Sequence, residues 1–235
     1  WIKKSASQGH ADAQQNLALM YEQGKGTKKN SILANKWHLE SAKSGNHEEQ
    51  YRLAKAYLDS EDYNQAFIWL LKSAKQNNAQ AQSQLGHLFT KGQGVPRDYD
   101  QAFIWYQQAM KNGNDEMAYI LAGLYDQGLG IKKDYQKSHK LYQQAKAQGN
   151  LDAYQDIARH YEKGQGVKKN LSKAYVFSIA AARKGHIDSQ RKVAEMYEQG
   201  SGVKKSVKKA KYWLKKLAKN GDEIAKRDLK RLQKR

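Results

Sequence analysis

Residues 9–42 read GHADAQQNLALMYEQGKGTKKNSILANKWHLESA, and the fold follows from this stretch because the rest of the chain repeats it. Leu17 and Tyr21 stand one helical turn apart, Gly24 and Gly26 interrupt the pattern, and Ala34 and Trp37 resume it at helical spacing after Asn30. Two helices joined by a glycine elbow satisfy that order, since a left-handed residue ends a helix cheaply only when it lacks a β-carbon. On either side, the marker Gly9 recurs as Gly45, Asn77, Gly113, Gly149, Gly185 and Gly221, in steps of 36, 32, 36, 36, 36 and 36 residues. A period of this size signals stacked supersecondary units.

The register is kept by residues of different kinds. Twelve positions after each marker stands Tyr21, Tyr57, Phe89, Tyr125, Tyr161 or Tyr197, and one turn earlier Leu17, Leu53, Leu85, Leu121, Ile157 or Val193. Asn30, Asp62, Asp98, Asp134, Asn170 and Ser206 fall where each second helix must start, and all are good N-caps. Asn77 replaces a marker glycine with the residue that best tolerates the same angles. A single hairpin has too little apolar surface to fold alone, so neighbours must stack and bury the Tyr and Trp positions. The reading is an all-α solenoid of antiparallel helix pairs. It is one repeat domain, with residues 1–8 ending a preceding repeat and about six repeats starting near 10, 46, 78, 114, 150 and 186. Residues 222–235 read as a capping helix, charged all round. The chain opens on Trp1 without an apolar leader, so a fragment or processed form with repeats missing upstream is expected.

The pattern Gly-x-Ala-x-Ala-Gln-x-x-Leu-Ala-x-x-Tyr-x-x-Gly-x-Gly, followed by an Asp or Asn cap and Ala-x-x-Trp, resembles the Sel-one-like repeat (SLR), a relative of the tetratricopeptide repeat. Ala11, Ala13, Gln14, Leu17, Ala18, Tyr21, Gly24, Gly26, Ala34 and Trp37 carry the likeness in the first unit. It implies a right-handed superhelical, non-catalytic scaffold that holds a protein or peptide in a concave groove, often in bacterial envelopes, secretion or signalling. A periplasmic or secreted location follows from the resemblance alone. The alternative on the same surface is an inhibitor or immunity-type protein that neutralises a toxin or cell-wall enzyme.

The second repeat departs from the pattern. It runs from Tyr57 to Ala66 in nine steps where the first takes thirteen from Tyr21 to Ala34, and it lacks both elbow glycines. Either the loop absorbs the deletion, or curvature changes around residues 57–65.

The chain carries 42 Lys+Arg against 23 Asp+Glu, a net charge of +19, and no cysteine. Disulfides, cysteine metal sites and thiol nucleophiles are thereby excluded. From Gly185 onward there are 16 Lys+Arg and 6 Asp+Glu, so +10 of the +19 lies in the last 51 residues. Nucleic-acid binding is disfavoured because the aromatics that could stack on bases sit at core spacing; an acidic partner surface fits the basic cluster better. No apolar run approaches the ~20 residues of a membrane span.

Helical geometry puts positions 3, 6, 10 and 13 after the marker on one face of each first helix, which should be the concave one. Positions 6 and 10 vary between repeats and supply the candidate partner-binding residues Tyr51, Lys55, His87, Tyr119, Arg159 and Arg191. Tyr51, Tyr119, Arg159 and Arg191 are the preferred anchors, since exposed Tyr and Arg combine large contact area with polar tips. A monomer is expected. No cofactor, metal or catalytic set is read from the sequence. The seven histidines have no metal spacing, His10 and His186 look like caps, and His160 looks partly buried. Ser201 and Ser206 each open a Ser-x-x-Lys string, but the companion elements of a β-lactam-type hydrolase are absent, and Ser206 reads as a helix cap.

Overall fold

A computed structural model describes residues 1–233 of the chain, and these form fourteen α-helices and no strand. The chain divides into two compact units, residues 1–117 and 118–235. The first holds α1 (Ile2–Ser7) and the hairpins α2 (Ala11–Gln23) with α3 (Ser31–Lys43), α4 (His47–Asp59) with α5 (Tyr63–Ala74), and α6 (Ala79–Lys91) with α7 (Tyr99–Lys111). The second holds α8 (Met117–Gln127), whose first residue closes the first unit, with α9 (Tyr135–Ala147). There follow α10 (Leu151–Lys163) with α11 (Leu171–Arg183), α12 (Ile187–Gln199) with α13 (Val207–Lys219), and α14 (Glu223–Gln233). Positions 234 and 235 of the expected capping helix lie outside the described residues. Within each unit, consecutive helices pack on one another.

Each elbow is closed by one recurring backbone bond. The N-cap residue of the second helix donates its N–H to the carbonyl of the position-12 aromatic, at 2.7 to 3.0 Å in all six repeats: Asn30 to Tyr21, Asp62 to Tyr57, Asp98 to Phe89, Asp134 to Tyr125, Asn170 to Tyr161 and Ser206 to Tyr197. This gives a partner to one of the carbonyls that a helix end orphans. All six caps also accept a backbone N–H from their own first turn. The shortened repeat keeps the closing bond because Glu61 adopts φ 60°, the left-handed angle that glycine supplies elsewhere. The shortened loop thus closes on the same backbone bond as the longer ones.

The core differs in one respect from the sequence reading. Complete burial belongs to the alanines and the aliphatic position 8, as in Leu17, Ala18, Leu85, Leu121, Ile157 and Val193. Of the aromatic seam, Tyr125, Tyr197 and Trp213 are buried, but Tyr21, Tyr57, Phe89, Tyr161, Trp37, Trp69, Trp105 and Phe177 are only half-buried. Their broad rings lie across the hairpin seam, where lysine stems can cover them. Lys137, Lys173 and Lys209 sit over the rings of Tyr125, Tyr161 and Tyr197 at 5.2 to 5.3 Å. Such contacts contribute about 0.5–1 kcal/mol each at exposed sites, so part of the basic charge has a structural use.

Repeats are also tied by a glutamine at position 5. Gln14, Gln50, Gln82 and Gln190 are buried and donate from Nε2 to the carbonyls of Ala6, Ala42, Ala74 and Ala182, at the end of the preceding second helix. A carbonyl has two lone pairs, so this bond adds to the local turn. The terminal helix α14 is not charged all round: Ala225 and Leu232 are buried and Leu229 half-buried, one apolar stripe against α13.

Gly86, in the middle of α6, stands where other repeats have Ala18, Ala54, Ala122, Ala158 and Ala194. A β-carbon there would meet the ring of the fully buried Tyr106 at 2.5 to 2.8 Å. Glycine in a helix interior normally costs about 1 kcal/mol relative to alanine, but overpacking costs about 1–3 kcal/mol. Gly86→Ala is therefore expected to destabilise the protein. Gly123→Ala, whose β-carbon meets nothing closer than 3.9 Å, should stabilise it; urea unfolding of both variants checks the opposite signs.

Candidate functional site

The first helices present positions 3, 6, 10 and 13 on one face, as expected, but the two units use that face differently. In the second unit it is a ladder between repeats. Arg159 on α10 donates from Nη2 to Asp126 Oδ2 on α8 and to Asp156 Oδ1, each at 2.9 Å, and from Nη1 to Gln165 at 3.0 Å. Tyr119 on α8 donates to Asp156 Oδ2 at 3.1 Å. Arg191 bridges Asp188 and Asp222, and Lys192 reaches Glu162 at 2.8 Å. Arg231 on α14 holds Glu198 on α12, repeating the geometry of Arg159 with Asp126. Burial alone would lower the basicity of Arg159, but Asp156 and Asp126 reverse that effect and raise it. For Arg191 the hydrogen bond to Asp222 does the same. Burial beside Asp156 raises the Tyr119 phenol. Three of the four preferred anchors, Tyr119, Arg159 and Arg191, are thus occupied within the fold. Each of the three has an acid partner on the same or a neighbouring repeat.

Behind this ladder lies a polar cluster missed in the sequence. His160 is fully buried, not partly, and its Nε2 stands 2.8 Å from Asp126 Oδ1. Its Nδ1 faces Nδ1 of the buried His139 at 3.3 Å, and His139 Nε2 lies 3.4 Å from the Gln143 amide. Assigning the Nε2 proton of His160 to Asp126 leaves His160 Nδ1 as an acceptor and makes His139 its donor. Protonating His160 at Nδ1 would break that bond. Burial lowers both histidines: His139, also repelled by His160, falls to about 4, and His160 falls despite Asp126. The unfolded chain takes up these protons near pH 6.5 and the folded chain does not. The stabilisation is therefore complete above that pH and is lost as pH falls toward 4. Chemical denaturation at pH 7 and pH 5 should show a loss of about 2 kcal/mol at the lower pH, and His139→Phe should reduce that difference. The sequence signal is confined to His160, whose slot holds Met20, Leu88, Leu124 and Met196 in other repeats; the slot of His139 holds Asn35 and Lys211 among others and gives none.

In the first unit Gln15 reaches Glu48 of the next repeat at 3.0 Å, and the face opens beside Tyr51. Tyr51 is half-buried against the α4–α6 core, and Lys55 is exposed one turn further along α4. Tyr51 borders a recess of about 470 Å³ with Gln80, Ser83, Gln84, Asp115 and Glu116. His87 points into the fold, with Nδ1 at 2.9 Å from Tyr106 Oη; burial, then Lys91, lowers its pKa. Sequence reading also missed a buried pair in this unit, His38 Nδ1 at 2.9 Å from Glu49 Oε2 with Arg52 on the same carboxylate. Burial raises Glu49, but His38 and Arg52 bring it below its ordinary value.

Among the histidines expected to cap helices, His186 does so, accepting the Ser189 N–H at Nδ1 while Nε2 meets Asp152 at 2.8 Å. His10 makes no side-chain cap bond. Ser206 caps α13. Among the described residues no group of three or more His, Asp or Glu could hold a metal ion, and no helix is long and apolar enough to cross a membrane.

Stacked helical hairpins with glycine elbows define an α-solenoid repeat protein. The Sel1 repeat matches residues 11–46, 50–78, 79–114, 115–150, 151–186 and 187–222, and the chain belongs to the Sel1 repeat family, generally non-catalytic scaffolds for protein interaction. Among solved structures, c5321, a protective antigen of uropathogenic Escherichia coli strains with an SLR fold, is 30% identical with a TM-score of 0.80. The match covers 97% of this chain and 50% of c5321, so the chain spans half that relative's length. A Sel1 repeat protein from Oxalobacter formigenes is 28% identical with a TM-score of 0.67, covering 88% of this chain and 85% of its own. No curated protein matches the sequence.

Proposed function

We propose that the protein is a non-catalytic bacterial scaffold, in an envelope, secretion or signalling context, that holds a protein or peptide on the first-helix face of its first unit. The observation that carries this reading is the recess beside Tyr51. There the face keeps a half-buried aromatic and a nearby exposed lysine, whereas the same face in the second unit is occupied by internal ion pairs. An exposed-edge tyrosine brings large contact area at low entropic cost. The likeness to proteins of Escherichia coli and Oxalobacter formigenes supports a bacterial origin.

Affinity capture from a bacterial envelope fraction tests it. Tyr51→Ala combined with Lys55→Ala is expected to abolish retention of a partner while lowering stability by about 1–2 kcal/mol, the loss of a half-buried ring, which leaves the protein folded. Arg191→Ala should lower stability and leave retention intact in the folded protein. Retention that survives the Tyr51 and Lys55 changes would remove the assignment.

A further inference from the structure

The second-helix side of the last repeat carries a different kind of recess. Between α11 and α13 a cavity of about 470 Å³ is lined by Ile179, Arg183, Tyr197, Lys209, Tyr212, Trp213 and Lys216, with no carboxylate among them. Neither helix contains an acid along its length, and α13 alone carries six lysines. On the opposite, first-helix side of this unit, the main cations are paired to carboxylates. Arg183, Lys209 and Lys216 have no ion-pair partner among the described residues. Lys208 and Lys209 even sit in the first turn of α13, where a cation opposes the helix dipole.

The preceding repeat supplies an internal control. Moving each lining residue back by 36 gives Gln143, Ala147, Tyr161, Lys173, Val176, Phe177 and Ala180. The structural pair of lysine over tyrosine is kept there, Lys173 on Tyr161. Against that repeat, the last one replaces Ala147, Val176 and Ala180 with Arg183, Tyr212 and Lys216. Those three changes add two charges and an aromatic that the stacking of repeats does not require. Tyr212 is 62% exposed and stands edge-on to the buried Trp213, with centroids 5.4 Å apart. Lys216 lies over Trp213 at 5.4 Å.

We propose that this recess binds a short acidic segment of a partner protein, taking one apolar or aromatic side chain between Tyr212 and the rim of Trp213 and its flanking carboxylates on Arg183, Lys209 and Lys216. Charge complementarity selects the acid, since hydrogen bonds between carboxylates and guanidinium or ammonium groups are the stronger, charge-assisted class. The aromatic floor selects a side chain over a bare anion. A single concave recess with one exposed ring suits one anchored residue better than a lipid surface or a run of stacked bases. This site is separate from the Tyr51 recess, so either can fail alone.

The test uses the whole chain and a fluorescein-labelled peptide with two glutamates on each side of one phenylalanine, followed by anisotropy. Arg183→Ala with Lys216→Ala is expected to weaken binding by about tenfold or more, and Tyr212→Ala by several-fold. Lys208→Ala with Lys215→Ala, which removes the same charge outside the recess, should have little effect. Replacing the phenylalanine by glycine should weaken the peptide, whereas an equal loss from both sets of charge-removing variants would reduce the effect to general electrostatics and overturn the proposal. Tighter binding of phosphatidylserine vesicles or of a single-stranded oligonucleotide than of the peptide, lost in the Arg183 and Lys216 variant, would also overturn it.

Discussion

Gly166→Ala is expected to cost about 3 kcal/mol, against about 1 kcal/mol for Gly164→Ala two residues earlier in the same elbow. Both glycines have positive φ, 73° for Gly164 and 67° for Gly166, so each alanine carries the left-handed penalty of about 1–2 kcal/mol. The difference lies in what the new β-carbon meets. At Gly164 the nearest atoms are 3.4 to 3.6 Å away, ordinary contact. At Gly166 they are the Tyr135 carbonyl oxygen and carbon at 2.2 and 2.4 Å, backbone at the start of α9 in the preceding repeat. Backbone cannot rotate aside as a side chain can, so the two repeats must separate, and overpacking adds about 1–3 kcal/mol. Gly202 against Leu171 and Gly94 against Tyr63 have the same arrangement. Equal urea midpoints for the two variants would show that the second elbow glycine does not guard the contact between repeats.

Asp126→Ala is the second large effect, with an expected loss of about 3 kcal/mol or more. The carboxylate is largely buried and takes hydrogen bonds from the fully buried His160 and from Arg159. Removing it leaves the buried His160 Nε2–H without its acceptor and takes from Arg159 one of its two carboxylates, and breaking a buried pair from one side costs about 3–5 kcal/mol. Asp152→Ala is the comparison. Asp152 also lies 2.8 Å from a histidine, His186, but in an exposed position, where pairs contribute about 0–1 kcal/mol. Thermal unfolding of both variants at pH 7 gives the contrast, and similar losses would mean that the Asp126 cluster is as solvated as the surface pair.

These effects separate what was legible in the chain from what was not. The period, the two helices of each repeat, the elbow and the N-caps could all be read because each depends on local rules. A left-handed angle calls for Gly, or for Asn at position 77, and an orphaned N–H calls for Asn, Asp or Ser. Glu61 at φ 60° shows the limit of that logic: the deleted loop kept its closing bond through a residue that propensity disfavours. The roles of Tyr119, Arg159 and Arg191 could not be read from spacing. Their partners Asp156, Asp126 and Asp222 lie 31 to 37 residues away and become neighbours only when repeats stack.

Local sequence was therefore enough for the repeat, its helices and its elbow, because those are settled within a few residues of backbone. Which charges are spent on the fold and which are left for a partner depended on how the repeats pack. An arginine on a helix face looks the same in sequence whether a carboxylate of the next repeat stands beside it, as at Arg159, or none does, as at Arg183. Coulomb attraction and desolvation act across the space between repeats, and only packing sets that distance.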